Sequence, residues 1–442
     1  MRAVRGRAIV ASVVLVAVVV AAGCGGSSGG SSGGSGGAAA GAAVNISSCK
    51  AVQGSGQYTI TSDFPLQGSS SLQTKQMNQA IAMVLEQNNW KAGKYTVQFQ
   101  PCDDSTAQLG SWDSATCSAN ANAYVQTSSV IGNIGTYNSG CAEIEVPVLN
   151  QAPGGAIAMV SPANTWPGLT QKTKVPGEPD KYYPTGTRNY ARVVAADNFQ
   201  GPALAQLAKD EGVKSVYILN DKQAYGAGVA YYFQEAAKAL GITVLGNEAY
   251  NTKTGTNYQS QFQSIKAKNP DAIMIGGLIC ENGGQVIKDK VAVLGDNSKV
   301  KLLLPDGFTT DQTITDAGGA ATGAFMSVAG VPPDQLTGAG ATFVKDFEQK
   351  YSTDHLEPYT PYAAAAAAVM LNAIAQSDGT RASVTEHLLN QTIGNSVLGG
   401  FQINSSGDTN QGSMTIYTAK PGDKHISTYK VITPDPSLVI TL

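Results

Sequence analysis

Between residues 215 and 304 the chain repeats one pattern. Short apolar runs at 215–219, 242–245, 272–275 and 301–304 alternate with longer amphipathic stretches at 226–240, 258–268 and 281–294. The short runs suit strands buried on both faces, and the longer ones carry apolar residues at helical spacing. A strand followed by a helix and a second parallel strand forms a right-handed βαβ unit, so this stretch restricts the chain to an α/β architecture with parallel sheets. The same alternation runs upstream. Strands are expected at 58–62, 95–100, 130–134, 156–160 and 190–195, with helices at 72–88, from about 140 to 149, and at 199–211. In the first of these helices Met77, Ala80, Ile81, Val84 and Leu85 fall at i, i+3, i+4, i+7 and i+8, one apolar face. One small sheet cannot hold so many strands, and two Rossmann-like lobes are expected. Beyond 331 the pattern turns helical, at 342–351, 361–377 and 383–390, with late strands at 398–403 and 414–418.

The strand at 156–160 ends at Ser161-Pro162, because proline cannot donate to a ladder and forces the preceding residue out of helical geometry. Asn164, Thr165 and Trp166 follow. In open α/β sheets ligands bind beyond the carboxyl ends of the strands, and these side chains suit a small polar molecule there. A long proline-containing loop spans 166–186.

Charged residues make up 14% of the 442, with a formal net charge of −3, and no basic patch of the size nucleic acid needs is visible. Arg2, Arg5 and Arg7 precede an apolar run at 9–20, broken only by Ser12. The run is too short for a comfortable membrane span and reads as a signal peptide covering 1–23. Val20-Ala21-Ala22-Gly23-Cys24 resembles the lipobox of bacterial lipoproteins. That resemblance implies acylation of Cys24 and attachment to the membrane through lipid. Residues 25–43 are Gly, Ser and Ala only, which reads as flexible tether, and the tether is expected to run to 55. Of the six cysteines five remain, so at least one thiol is left over. Cys102 closes one strand and Cys117 begins the next helix on the same sheet edge, so these two are expected to pair. Cys49, Cys141 and Cys280 have no assigned partners. No two cysteines stand at C-x2-C spacing and the three histidines, His355, His387 and His425, are isolated in sequence, so no metal is expected. No nucleotide, phosphate or zinc-protease motif is present, G-x-S-x-G occurs only in the tether, and neither catalysis nor a cofactor is expected.

The segment Asn220-Asp221-Lys222-Gln223-Ala224-Tyr225-Gly226-Ala227-Gly228 resembles a loop of the leucine/isoleucine/valine-binding type of periplasmic substrate-binding protein. Ser161-Pro162-Ala163-Asn164-Thr165, Arg192 with Asp197 and Gln200-Gly201, Gly276-Gly277-Leu278, Pro305-Asp306-Gly307 and Gly407-Asp408 agree in order. The similarity covers about 58–417. It implies a non-enzymatic receptor with two α/β lobes, 56–195 with 329–400 and 196–328 with 401–442, joined by three hinge strands. Its implied partners are a small solute, such as an amino acid, and the permease and ATPase subunits of an ABC importer, with the receptor a monomer. A membrane-anchored sensor of the same fold is the alternative. Carried onto this sequence, Asn138 and Ser139 would hold an anionic group of the ligand, Asn164 and Thr165 would add hydrogen bonds, Tyr225 would close from the second lobe, and Asp306 would bind an ammonium. Leu278 stands where the branched-chain binders have an aromatic, and Asp306 where they have Glu.

Overall fold

The computed structural model describes residues 40–441. The signal peptide, Cys24 and the tether up to residue 39 lie outside them. Among the described residues no helix is long and apolar enough to cross a membrane.

The first lobe is built from β1 (Tyr58–Phe64), α1 (Ser71–Gln87), β2 (Lys91–Ala92), β3 (Tyr95–Asp103), α2 (Ser114–Gln126), β4 (Val130–Gly135), α3 (Ser139–Asn150), β5 (Ala158–Ser161) and β6 (Tyr190–Arg192). These strands form one sheet in the order β2-β3-β1-β4-β5-β6. All neighbours are parallel except the β2–β3 pair. The chain then enters the second lobe with α4 (Asp197–Asp210), β7 (Ser215–Asn220), α5 (Ala224–Ala239), β8 (Thr243–Ala249), α6 (Gln259–Lys266), β9 (Ala272–Gly276), α7 (Gly284–Leu294), β10 (Lys301–Leu304), α8 (Asp311–Ala317) and β11 (Phe325–Ala329). It returns to the first lobe as α9 (Ala339–Tyr351), α10 (Thr360–Gln376) and α11 (Arg381–Glu386), forms the hairpin β12 (Thr392–Ser396) and β13 (Gly399–Gln402), and ends in the second lobe with β14 (Met414–Thr418) and β15 (Ser427–Ile432). The second sheet runs β15-β14-β11-β10-β9-β7-β8, with β14 antiparallel to both of its neighbours, β11 and β15. Three crossings at 193–196, 330–338 and 403–413 therefore join the lobes.

The helical periodicity in α1 is realised. Met77, Ala80, Ile81, Val84 and Leu85 are all buried, and α1 packs against α10. The alanines 363–367 of α10 are buried on every side because that helix lies between α1 and the strands β4 and β5. Small side chains allow that double packing, and Pro361 sits in the first turn, where its missing N–H costs nothing. Strands β11 and β15 had no expectation in the sequence.

Two expectations are corrected here. Residues 44–55 are part of the folded body and not tether. Val44 is buried and bonded to the Gln100 amide, and Gln53 pairs antiparallel with Phe99 of β3. Cys102 does not pair with Cys117. Cys102 lies inside β3 facing this added segment and is bridged to Cys49, while Cys117 in the first turn of α2 is bridged to Cys141 in the first turn of α3, Cα atoms 5.7 Å apart. The two helix starts are adjacent, and β3 points its cysteine the other way. Cys280 is free. Replacing Cys117 and Cys141 together with serine should cost about 3 kcal/mol in denaturant melts, from the loop the bridge closes. Free thiols at both positions in a non-reducing peptide map would exclude this pairing.

Candidate functional site

The carboxyl end of β4 leads directly into α3. Asn138 takes the N-cap position in extended geometry, yet its side chain makes no capping bond, and its buried Oδ1 has no partner at all. A cap residue normally satisfies a first-turn amide. Here the first-turn amides of Ser139 and Gly140 are left free of intrahelical partners, as at any helix start, and they carry the positive end of the helix dipole. Ser139 Oγ accepts the Trp166 amide at 3.3 Å. Gly140 is required by close approach: a Cβ there would stand 2.7 Å from the Trp112 indole.

On the second lobe the carboxyl end of β10 turns at Pro305 and presents Asp306, which is 5% exposed. Tyr225, in the first turn of α5, donates its hydroxyl to Asp306 Oδ1 at 2.6 Å and accepts the Gly307 amide at 2.8 Å. Tyr359 donates to Asp306 Oδ2 at 2.8 Å. Tyr359 caps α10 in the first lobe, so the carboxylate of one lobe is held partly by a phenol of the other. Burial raises the Asp306 carboxyl above its ordinary range, and the Tyr225 and Tyr359 hydrogen bonds oppose that rise. Asp197, at the start of α4, is also fully buried, with both oxygens unpartnered; burial and the nearby Asp306 push its carboxyl well up.

Residues 137–140 and Ala163 of the first lobe face Gln223, Tyr225, Leu278, Asp306 and Gly307 of the second across one small cavity of about 10 Å³. A single water needs about 10–15 Å³ measured this way, so the lobes are closed on a space of that order. Asn138, Ser139, Tyr225 and Asp306 are thus brought together. Asn164 is not: its amide donates to the carbonyls of Thr136 at 2.8 Å and Tyr137 at 3.0 Å and accepts from Tyr190. It shapes the loop before α3 rather than facing the cavity. Thr165 lies behind the cavity beside Asp197, its buried hydroxyl unpartnered and its carbonyl accepting the Asp197 amide at 2.8 Å. Trp166 also misses the cleft. Its indole donates to Glu178 at 3.1 Å and packs so closely on α5 that a Cβ at Gly228 would be 2.3 Å from the ring. It lines a larger cavity of about 450 Å³ beneath the 166–186 loop. That cavity has more room, but of its two carboxylates Glu178 is already occupied by Trp166, Thr173 and Tyr182, and Glu143 accepts from Tyr182. The smaller one is lined by Asn138, whose Oδ1 is unpartnered, and by the start of α3 with its free amides.

Sequence reasoning did not find Tyr359. Its only local signal is a hydroxylated aromatic between Pro358 and Pro361, at a helix start. The histidines are also placed differently from their sequence spacing: His355 and His425 stack with ring centroids 4.5 Å apart, beside Asp311.

The sequence profile described as periplasmic binding protein matches residues 59–424. The chain belongs to this family. Periplasmic binding proteins are extracytoplasmic solute receptors and not enzymes. Among curated relatives, a Leu/Ile/Val-binding protein of Rhizobium johnstonii is 30% identical over 151 residues, 34% of this chain and 36% of that protein. The chain therefore aligns with less than half the length of that relative. Among solved structures, a leucine-binding protein from Thermotoga maritima superposes with a TM-score of 0.72 at 22% identity, covering 85% of this chain and 99% of that one. A solute-binding protein of an ABC transporter from R. palustris in complex with benzoate gives 0.69 at 18% identity, covering 88% and 100%. These likenesses establish the two-lobed fold.

Proposed function

We propose that the chain is the solute receptor of an ABC importer, held at the membrane through a lipid on Cys24, and that it takes a small amino acid between its lobes. The lobes would divide as 56–195 with 329–400 and 196–328 with 401–442. One observation carries the ligand class: the free amides at the start of α3 and the buried carboxylate of Asp306 face each other across the same cavity. An α-carboxylate suits the helix start, and an α-ammonium suits Asp306. Asn138 Oδ1, now unpartnered, would accept from the same ammonium or from a bound water. Leu278, Ala163 and the Tyr137 ring, which stands edge-on to Tyr359 at 6.2 Å, leave an apolar surface for a short side chain. Asp306 argues against an aromatic acid without an amino group, because two anions would then share one desolvated site.

The test is a thermal-shift screen of the full chain against amino acids, amides, benzoates and small carboxylates. A ligand at a hundred times its dissociation constant adds about 2.7 kcal/mol. Stabilisation by amino acids alone is expected. Stabilisation by benzoates alone would replace the amino-acid reading, and no response to any of them would remove the receptor assignment for this cleft.

A further inference from the structure

Away from the cleft, three segments distant in sequence place two imidazoles and a carboxylate together. Asp311 opens α8 in the second lobe, and His425 lies between β14 and β15 of the same lobe. His355 comes from the loop between α9 and α10, which is pinned to α1 of the first lobe through Gln76, whose side chain bonds the His355 carbonyl and the Glu357 amide. Their ligand atoms all lie within 4.8 Å of one another. Asp311 Oδ2 is 2.6 Å from His425 Nδ1 and 3.5 Å from His355 Nε2.

Protein partners alone leave this cluster poorly satisfied. His355 Nε2 is a buried atom without a hydrogen bond, and Glu357, 1% exposed and bonded through Oε1 to the Asp311 amide, has a buried Oε2 with no partner. Among the described residues, the ion-pair partners of Asp311 are the two histidines and no lysine or arginine. The outer contacts are those of a ligand set. Asp311 Oδ1 accepts the Ile426 amide at 2.8 Å, which turns Oδ2 toward the imidazoles. Asp354 stands 3.9 Å from the far nitrogen of His425. A carboxylate on the outer nitrogen of a metal-bound histidine and a hydrogen bond fixing the ligating carboxylate are the usual outer support of such sites.

We propose that Asp311, His355 and His425 form a zinc-class divalent metal site that ties the two lobes together in the closed arrangement. Two imidazoles and one carboxylate are borderline ligands suited to zinc, with water in the fourth position. Tetrahedral bonds of about 2.0–2.2 Å put ligand atoms about 3.3–3.6 Å apart, so the 3.5 Å spacing already fits and the 2.6 Å His425 contact would open by about 0.7–1.0 Å. The site shares its two segments with the cleft. Asp306 and Asp311 lie on one turn, and Tyr359, which donates to Asp306, follows Glu357 by two residues. Metal bound here would favour the closed lobes, and closure would in turn tighten the metal, since such coupling is reciprocal. This proposal stands whichever solute the cleft takes.

The experiment titrates Zn²⁺ into the chelator-stripped full chain and repeats the titration with His355→Gln, His425→Gln and the double variant. One tight equivalent is expected in the parent, weakened at least about 100-fold in the double variant. His425 is on a part-exposed loop, so His425→Gln carries the test should the double variant fail to fold. Asp354→Asn, on an exposed side chain, should weaken zinc by about tenfold. Co²⁺ in place of zinc should give a four-coordinate visible spectrum without a thiolate charge-transfer band, which separates this site from Cys280 or Cys24. Absence of a tight equivalent in the parent, equal affinity in His425→Gln, or a thiolate band would each overturn the assignment.

Discussion

Replacing Asp306 with alanine should abolish measurable affinity for an amino-bearing solute while the unliganded chain melts within about 1 kcal/mol of the parent. The carboxylate is almost fully buried, and its partners are two phenols. Hydrogen bonds to a charged group contribute about 1.5–3 kcal/mol each. The desolvation they must offset is itself several kcal/mol. Removing the carboxylate therefore changes apo stability little. Once a solute ammonium is paired with it, removing one partner strands the other, at about 3–5 kcal/mol, or roughly a hundredfold to several thousandfold in affinity. Calorimetry on the parent and Asp306→Ala reads this directly. The same pairing sets a pH dependence. Burial holds the unliganded Asp306 carboxyl above its ordinary range, and the ammonium needs it ionised. Affinity is then complete above that raised value and falls as pH drops through it, at a higher pH than an ordinary aspartate would give. Unchanged affinity in the variant would place the solute's cation elsewhere.

Asp408→Ala should be the most damaging single change to stability, about 3–5 kcal/mol in denaturant melts. Arg192, at the end of β6, is fully buried, with Nε 2.9 Å from Asp408 Oδ1. Its other nitrogens donate to the carbonyls of Asn164 and Trp166, both at 2.9 Å, and to Thr170 Oγ1 at 2.7 Å. The Arg192 amide also donates to the Gly407 carbonyl. Gly407 must be glycine there, with φ at +95° and a Cβ position 2.3 Å from the Tyr190 carbonyl. This group fastens the first and third crossings to each other and to the loop that follows β5. Deleting the aspartate strands a buried guanidinium. The exposed Lys430–Asp210 pair is the control: Asp210→Ala should change stability by less than about 1 kcal/mol. If the two variants melt alike, the buried pair does not hold the hinge.

Much of the fold is legible because its strongest elements obey local rules. The α1 face follows from helical spacing, and the parallel strands follow from short apolar runs between helices. β11 is harder to see. It is apolar and buried, but the Gly- and Ala-rich chain before it gives no polar boundary. Residues 44–55 are held to β3 largely by main-chain hydrogen bonds, which do not depend on side-chain identity, and by the Gln100 amide and the Cys49–Cys102 bridge, so no periodicity in the segment marks it as folded. The disulfides depend on which helix starts are neighbours, and that is set by the strand order and not by spacing along the chain. Four of the expected cleft residues do meet. Asn164 belongs to the same loop cluster but spends its amide on the backbone, a distinction that only the turn geometry makes. Tyr359 and the His355–His425 pair arrive from the return segment and the last strands, where no periodicity links them to their partners.

The closed cavity has a kinetic consequence. A space of about 10 Å³ admits no amino acid, so solute can enter only molecules whose lobes stand apart. The capture rate then scales with the fraction of chains in that state, and the residence time of a bound solute scales with how seldom the lobes part. Trp166 lying against Gly228 belongs to that barrier although it touches no solute. Dwell time can therefore be tuned from contacts outside the cleft, independently of which molecule the cleft selects.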